Sequence, residues 1–124
     1  MDNKNPRSSI LLTYKGKVLL MRKNNGYTDK EDYPWCFIEG VKEERESYEH
    51  ALIRKVEREI GIKIENVEFV SKSCYHARLT DDNVNKIERK ENQLLDFFSP
   101  KELNNLFLSE PVQEFIYKHG SLIQ

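Results

Sequence analysis

Residues 40–62 read GVKEERESYEHALIRKVEREIGI: a polar loop, an amphipathic segment and a glycine-ended turn. At about 100° per residue, Tyr48, Leu52, Val56 and Ile60 fall on one apolar stripe, widened by Ala51 and Ile53. A helix striped in this way packs its apolar side on another element. Glu59 lies inside the same arc, close in angle to Tyr48 and Leu52, with Lys55 and Arg58 at its edge. Burying an unpaired carboxylate is costly, so this cluster asks for a charged partner, a metal or a substrate. The spacing predicts a helix that begins near Glu46 or Ser47 and ends at Gly61, which suits the position just past a helix.

Upstream, residues 1 to about 8 are polar, contain Pro6 and read as a loose tail. SSILLTY and KVLLMRK flank Lys15-Gly16 and predict a β-hairpin. Asn24 to Pro34 is a polar loop, and Trp35 to Ile38 a short strand candidate leading into Glu39-Gly40. Downstream, IKIENVEFV and the run Ser73 to Leu79 read as strands, Thr80 to Asn83 as a turn, and LLDFF as a late strand. Ser99-Pro100-Lys101-Glu102 has the form of a capping box with proline at the first helical position. Ser109 can cap a last helix with Val112, Phe115 and Ile116 on one face and Gly120 after its end. Strands, a helix, strands and two helices favour an α+β or α/β layered fold over a bundle.

A chain of 124 residues predicts one domain spanning residues 1–124. With 33% charged and 38% hydrophobic residues it has the composition of a small soluble protein, not of a disordered chain. A net charge of -1 argues against strongly electrostatic binding to nucleic acid or membrane. No apolar run approaches the ~20 residues of a membrane span, and MDNKNPRSS lacks the apolar core of a signal peptide. Cys36 and Cys74 have no ligand spacing and read as reduced structural thiols, so a cytoplasmic location is expected. His50, His76 and His119 share no metal-ligand spacing, and Trp35, Tyr27 and Tyr33 can pack or stack on a base.

The stretch resembles the Nudix box, G-x5-E-x7-R-E-U-x-E-E-x-G-U with U a bulky aliphatic residue. Gly40, Glu46, Arg54, Val56, Glu59, Gly61 and Ile62 match in register, whereas Lys55 and Arg58 stand where the family has glutamate. KVLLMRK, WCFIEG and LLDFFSPKELNNL resemble the family's flanking segments, so the likeness covers nearly the whole chain. It implies an α+β fold, the Nudix α/β/α sandwich with a mixed β-sheet, which often forms a homodimer. It also implies hydrolysis of a diphosphate linkage in a nucleotide or nucleoside-diphosphate derivative with Mg2+ or Mn2+.

By this resemblance Glu59 and the backbone carbonyl of Glu39 match metal ligands, Arg54 the arginine that orients the carboxylates, and Glu46 the glutamate supporting the site from the helix start. Arg22 matches a phosphate-contacting arginine, and Glu91 lies about where the family supplies a further carboxylate as ligand or base. Clustered phosphate charge calls for cations that neutralise oxygens and lower the pKa of water, and hard cations take oxygen ligands. Lys55 and Arg58 change the local formal charge by about four units relative to two glutamates. Three outcomes stay open: a catalytically silent module in which Lys55 and Arg58 hold phosphates directly, a slow hydrolase with fewer metals using the side chain of Glu39 with Glu59 and Glu91, or a salt-bridged structural patch.

Overall fold

The computed structural model describes residues 7–23, 34–91 and 93–123. These divide into two compact units, one of residues 7–11 and 38–88, the other of residues 12–23, 34–37, 89–91 and 93–123. Strand β1, Arg7–Tyr14, gives its first half to unit one and its second half to unit two.

In unit one β1 pairs antiparallel with β3, Ile38–Val41, setting Ser8 opposite Gly40 and Ser9 opposite Glu39. The other neighbour of β1 is β5, Cys74–Arg78, which carries the short edge strand β4, Glu68–Ser71. Helix α1, Tyr48–Ile60, packs on β3. Ala51, Leu52, Val56 and Ile60 are fully buried, so most of the predicted stripe is the helix's inner face, whereas Tyr48 and Ile53 are only half-buried at its edges. Burial of each of the three larger side chains, Leu52, Val56 and Ile60, contributes about 1.5–3 kcal/mol. Gly40 permits the close approach: a β-carbon there would lie 3.2 Å from the Ala51 carbonyl oxygen.

In unit two β1 continues into β2, Lys17–Lys23, with Tyr14 opposite Lys17. Lys15 and Gly16 both have positive φ, 49° and 79°, the twist that lets two residues join a hairpin. Strand β6, Gln93–Phe98, pairs along β2. The capping box at Ser99 is formed in both directions and starts α3, Pro100–Leu103. Helix α4, Glu110–His119, buries Val112 and Phe115, the latter edge-on to Phe37 at 5.6 Å.

Several expectations need correction. The chain enters β1 at Arg7, so the tail of residues 1 to 8 is at least two residues too long; residues 1–6 lie outside the described part. The strand predicted at Trp35 to Ile38 begins at Ile38, because pairing with β1 takes up Glu39, Gly40 and Val41; Trp35 and Cys36 make only isolated bridges. Within IKIENVEFV the strand shrinks to its end, since Asn66 turns the backbone to φ 58°. Thr80 to Asn83 is not a bare turn. Thr80 and Asn83 cap each other and start α2, Asp81–Asn85. Gly120 stays right-handed at φ -58° and passes into a 3₁₀ turn, Gly120–Leu122. Ser109 takes the N-cap conformation without a side-chain cap bond.

Candidate functional site

Helix α1 is anchored at both ends. Ser47 accepts from the His50 backbone N–H at 3.0 Å, and Gly61 adopts φ 76° with its N–H on the Glu57 carbonyl at 2.9 Å. Ahead of the helix, Arg54 Nε and Nη2 donate to the two oxygens of Glu46 at 2.8 and 2.9 Å. Arg54 Nη2 also reaches the Val41 carbonyl at 3.1 Å, tying helix, loop and the end of β3 together. Glu46 accepts in addition from the Glu43 N–H at 3.0 Å. These donors, the Arg54 guanidinium first, hold the Glu46 carboxyl down at about 2, as charge-assisted donors do. Glu46 and Arg54 therefore act as a bracket that fixes the loop on the helix.

The second half of the helix carries a different pair. Glu59 is buried, its side chain only 12% exposed, and Lys55 Nζ lies 3.1 Å from its Oε2 one turn earlier. The costly carboxylate on the apolar face is thus met by a cation from its own helix. Arg58 is exposed, and so is Glu57.

Glu39 turns its side chain to the face of β3 opposite to that of Gly40. Gly40, its neighbour, turns its α-carbon toward Ala51 of α1, and alternate residues of a strand point to opposite faces. The Glu39 carboxylate accordingly lies away from α1, 3.7 Å from Arg7 Nη1 and within 3.5 Å of the donating Ser9 hydroxyl. The Glu39 side chain is thus engaged by Arg7 and Ser9 of β1.

Arg22 and Glu91 belong to unit two. The Arg22 guanidinium lies over the Trp35 ring at 5.2 Å, and that ring meets Phe98 edge-on at 4.8 Å. Glu91 is exposed. Tyr27, Tyr33 and Asn92 lie outside the described residues. His76 is buried, and its burial, with Arg78 nearby, lowers its pKa; His50 is exposed on α1. Cys36 and Cys74 are half-buried; the Cys36 thiol donates to the Met21 carbonyl at 3.4 Å, and burial pushes the Cys74 thiol up.

Among the described residues no three His, Cys, Asp or Glu side chains gather closely enough to hold a metal ion. That donor chemistry does not suit an all-protein cage. It suits at most one hard ion of the magnesium type, which commonly takes one or two protein oxygens and completes its shell with substrate phosphates and water.

Reading residue types alone passed over the Glu43 N–H, the Val41 carbonyl and Glu88. The Glu43-x-x-Glu46 spacing carries a faint signal, since an oxygen three residues on can reach back to an N–H; a backbone carbonyl carries none. Glu88, from the far end of unit one, donates its N–H to the Ile60 carbonyl at 2.8 Å and lays its side chain beside Gly61.

The family described as NUDIX domain matches residues 4–117. Among solved structures, a NUDIX-family hydrolase from Clostridium perfringens is similar over 99% of this chain and 100% of its own, with TM-score 0.72 and 18% identity. A MutT NUDIX hydrolase from Burkholderia pseudomallei is similar over 95% and 99%, with TM-score 0.72 and 15% identity. The E. coli ORF135 protein is similar over 94% and 88%, with TM-score 0.68 and 20% identity. At these identities the likeness is one of fold. No curated protein sequence matches the chain.

Proposed function

The chain belongs to the NUDIX domain family, and from that premise we propose that it is a hydrolase of the diphosphate linkage in a nucleotide or nucleoside-diphosphate derivative, assisted by Mg2+ or Mn2+ and slow because the box is altered. Its fold is that of the family, α+β with a mixed sheet and helices. The observation that carries the reading is Glu59, a carboxylate buried on the inner side of a helix whose loop is bracketed by Arg54 and Glu46. Stability alone gives little reason to bury an ion pair, since apolar residues do as well or better there.

In this reading Glu59 and the Glu39 carbonyl hold the ion. Such an ion supplies charge neutralisation on the phosphates and a more acidic water. Arg54 keeps the Glu46 loop in place and so positions the start of the helix. Lys55 and Arg58 bring positive charge to the phosphate oxygens, a task both side chains suit. Site and substrate meet without membrane or nucleic acid; no helix among the described residues is long and apolar enough to cross a membrane.

The test is turnover of a panel of nucleoside triphosphates, dinucleotides and nucleotide sugars with Mg2+, read as phosphate or nucleotide release. Activity lost in EDTA and reduced at least ~100-fold in Glu59→Gln is expected, the size of removing one group that stabilises transition-state charge. Turnover indifferent to EDTA or to Glu59→Gln refutes the assignment.

A further inference from the structure

Among the described residues β6 pairs with β2 alone and β4 with β5 alone, so each strand leaves one edge open. The edge of β6 is blunted. The Leu95 carbonyl accepts from Arg89 Nη1, the Phe97 N–H donates to Asp96 Oδ1 at 2.8 Å, and the Gln93 N–H donates to the Lys90 carbonyl at 3.3 Å. Every second residue of that edge is engaged, which keeps a foreign strand from adding to it.

The edge of β4 carries no such cover: nothing hydrogen-bonds to the outer side of Glu68–Ser71. The Ser73 carbonyl turns toward β1, where it accepts from the Ser9 N–H at 2.8 Å. Backbone groups alternate in direction along a strand, so Cys74 and His76 face β4 whereas Tyr75 faces β1. Phe69 stands opposite Tyr75, and its own N–H and carbonyl therefore aim outward. Its ring is 65% exposed, held edge-on to Tyr75 at 5.6 Å, and Tyr75 in turn stacks on Tyr48 at 6.4 Å. Two charges flank this ring. Glu68 is exposed and has the buried His76 as its ion-pair partner, at 3.9 Å; Lys72 is exposed at the turn and has no ion pair.

We propose that the β4 edge is the contact surface of a reversible homodimer, two copies pairing antiparallel across a two-fold axis centred on Phe69. Each Phe69 N–H donates to the Phe69 carbonyl of the other copy, the self-matching that a two-fold contact requires. The two rings come side by side on the face that carries Tyr75 and Tyr48, and cover each other. Val70 of the second copy stands opposite Glu68, and Lys72, two residues further, comes within diagonal reach of the carboxylate. Symmetry repeats this opposite-charge pair. Centring the contact on Glu68 would instead set two carboxylates face to face, so charge fixes the register. The register shift between Phe69 and Ser71 keeps the paired stretch short. Such a contact lies at the small end of specific interfaces, below roughly 1,200 Å², and association therefore follows concentration. The proposal concerns unit one alone and stands apart from the hydrolase reading.

Sedimentation equilibrium of the full chain from about 10 μM to about 1 mM, the range of weak association, is expected to show mass rising from monomer toward dimer and no further. Hydrogen exchange should find the Phe69 amide protected at high concentration and open at low. Phe69→Lys, at an exposed position, should weaken association at least ~10-fold, as loss of an aromatic anchor does. Glu68→Lys and Lys72→Glu should each weaken it about 3-fold or more, and the double variant should restore it. A chain that stays monomeric to about 1 mM overturns the proposal and leaves the edge to a strand of another protein. A dimer indifferent to Phe69→Lys, a dimer whose Phe69 amide stays open, or assembly beyond two copies overturns it as well.

Discussion

The two halves of the charged side of α1 make opposite use of an arginine or lysine beside a glutamate. In the Arg54–Glu46 bracket the partners come from helix and loop, lock in a two-pronged geometry, and accept further backbone support from Glu43 and Val41. In the Lys55–Glu59 pair both partners stand on the same helix, with the Lys55 ammonium 3.1 Å from the carboxylate. A forked guanidinium specifies geometry, whereas a flexible ammonium is a point charge that can be redirected. The first pair is therefore scaffold, the second a movable contact.

The comparison breaks most visibly if its second half is rewritten. In the double variant Lys55→Glu/Arg58→Glu two cations become anions beside Glu59, and Mn2+ affinity is expected to rise at least ~100-fold, about 2.7 kcal/mol, as local like-charge repulsion turns into attraction. Unchanged Mn2+ titrations would mean that this end of the helix is not where metal goes.

Next in size is the approach of helix to strand that both pairs presuppose. Gly40→Ala drives a β-carbon to 3.2 Å from the Ala51 carbonyl oxygen, a backbone atom with little room to yield. A loss of about 1–3 kcal/mol in urea unfolding is expected. Gly61→Ala meets the flexible Glu88 side chain instead but must hold φ 76°, so about 1–2 kcal/mol is expected. If Gly61→Ala proved as stable as wild type, the left-handed cap would not describe the helix end.

The smallest effect separates the pairs by pH. The Glu46 carboxyl is depressed to about 2 from a usual 4.5. A depressed carboxyl stabilises the folded state above its ordinary pKa and loses that contribution as pH falls from about 4.5 through about 2. Glu46→Gln should flatten the acid limb of a stability-against-pH curve over that window. Buried His76 acts in the same direction at higher pH: its lowered pKa means the unfolded chain takes up the proton first, so stability falls as pH drops below about 6.5. His76→Phe should remove that part of the slope, leaving the Glu46 window untouched.

How much of this could be read in the chain follows from which interactions are local. The stripe of α1, its Ser47 and Gly61 caps, the Lys15-Gly16 hairpin and the Ser99 capping box each depend on residues a few positions apart, and all are found in the structure. The start of β3 and the end of the strand after Asn66 were misjudged because strand pairing and one left-handed residue decided them, not residue propensity. At the site, Glu59 announced itself as a carboxylate in an apolar arc. That Glu39 turns its carboxylate away from α1 depends on its register against β1, thirty residues earlier, which no local pattern encodes.

The division of β1 has a consequence for the order in which the chain folds. Its second half meets β2 through a two-residue turn, a closure of the kind that takes about 1–10 μs. Its first half pairs with β3, and the Ser9 N–H finds its acceptor only in the Ser73 carbonyl. One strand thus joins a fast local event to slow long-range ones, whose loop closure must be met before any contact rewards it. Pulsed hydrogen exchange during refolding would show the amides around Thr13 and Val18 protected before that of Ser9; protection gained by all three together would mean that β1 forms in one step.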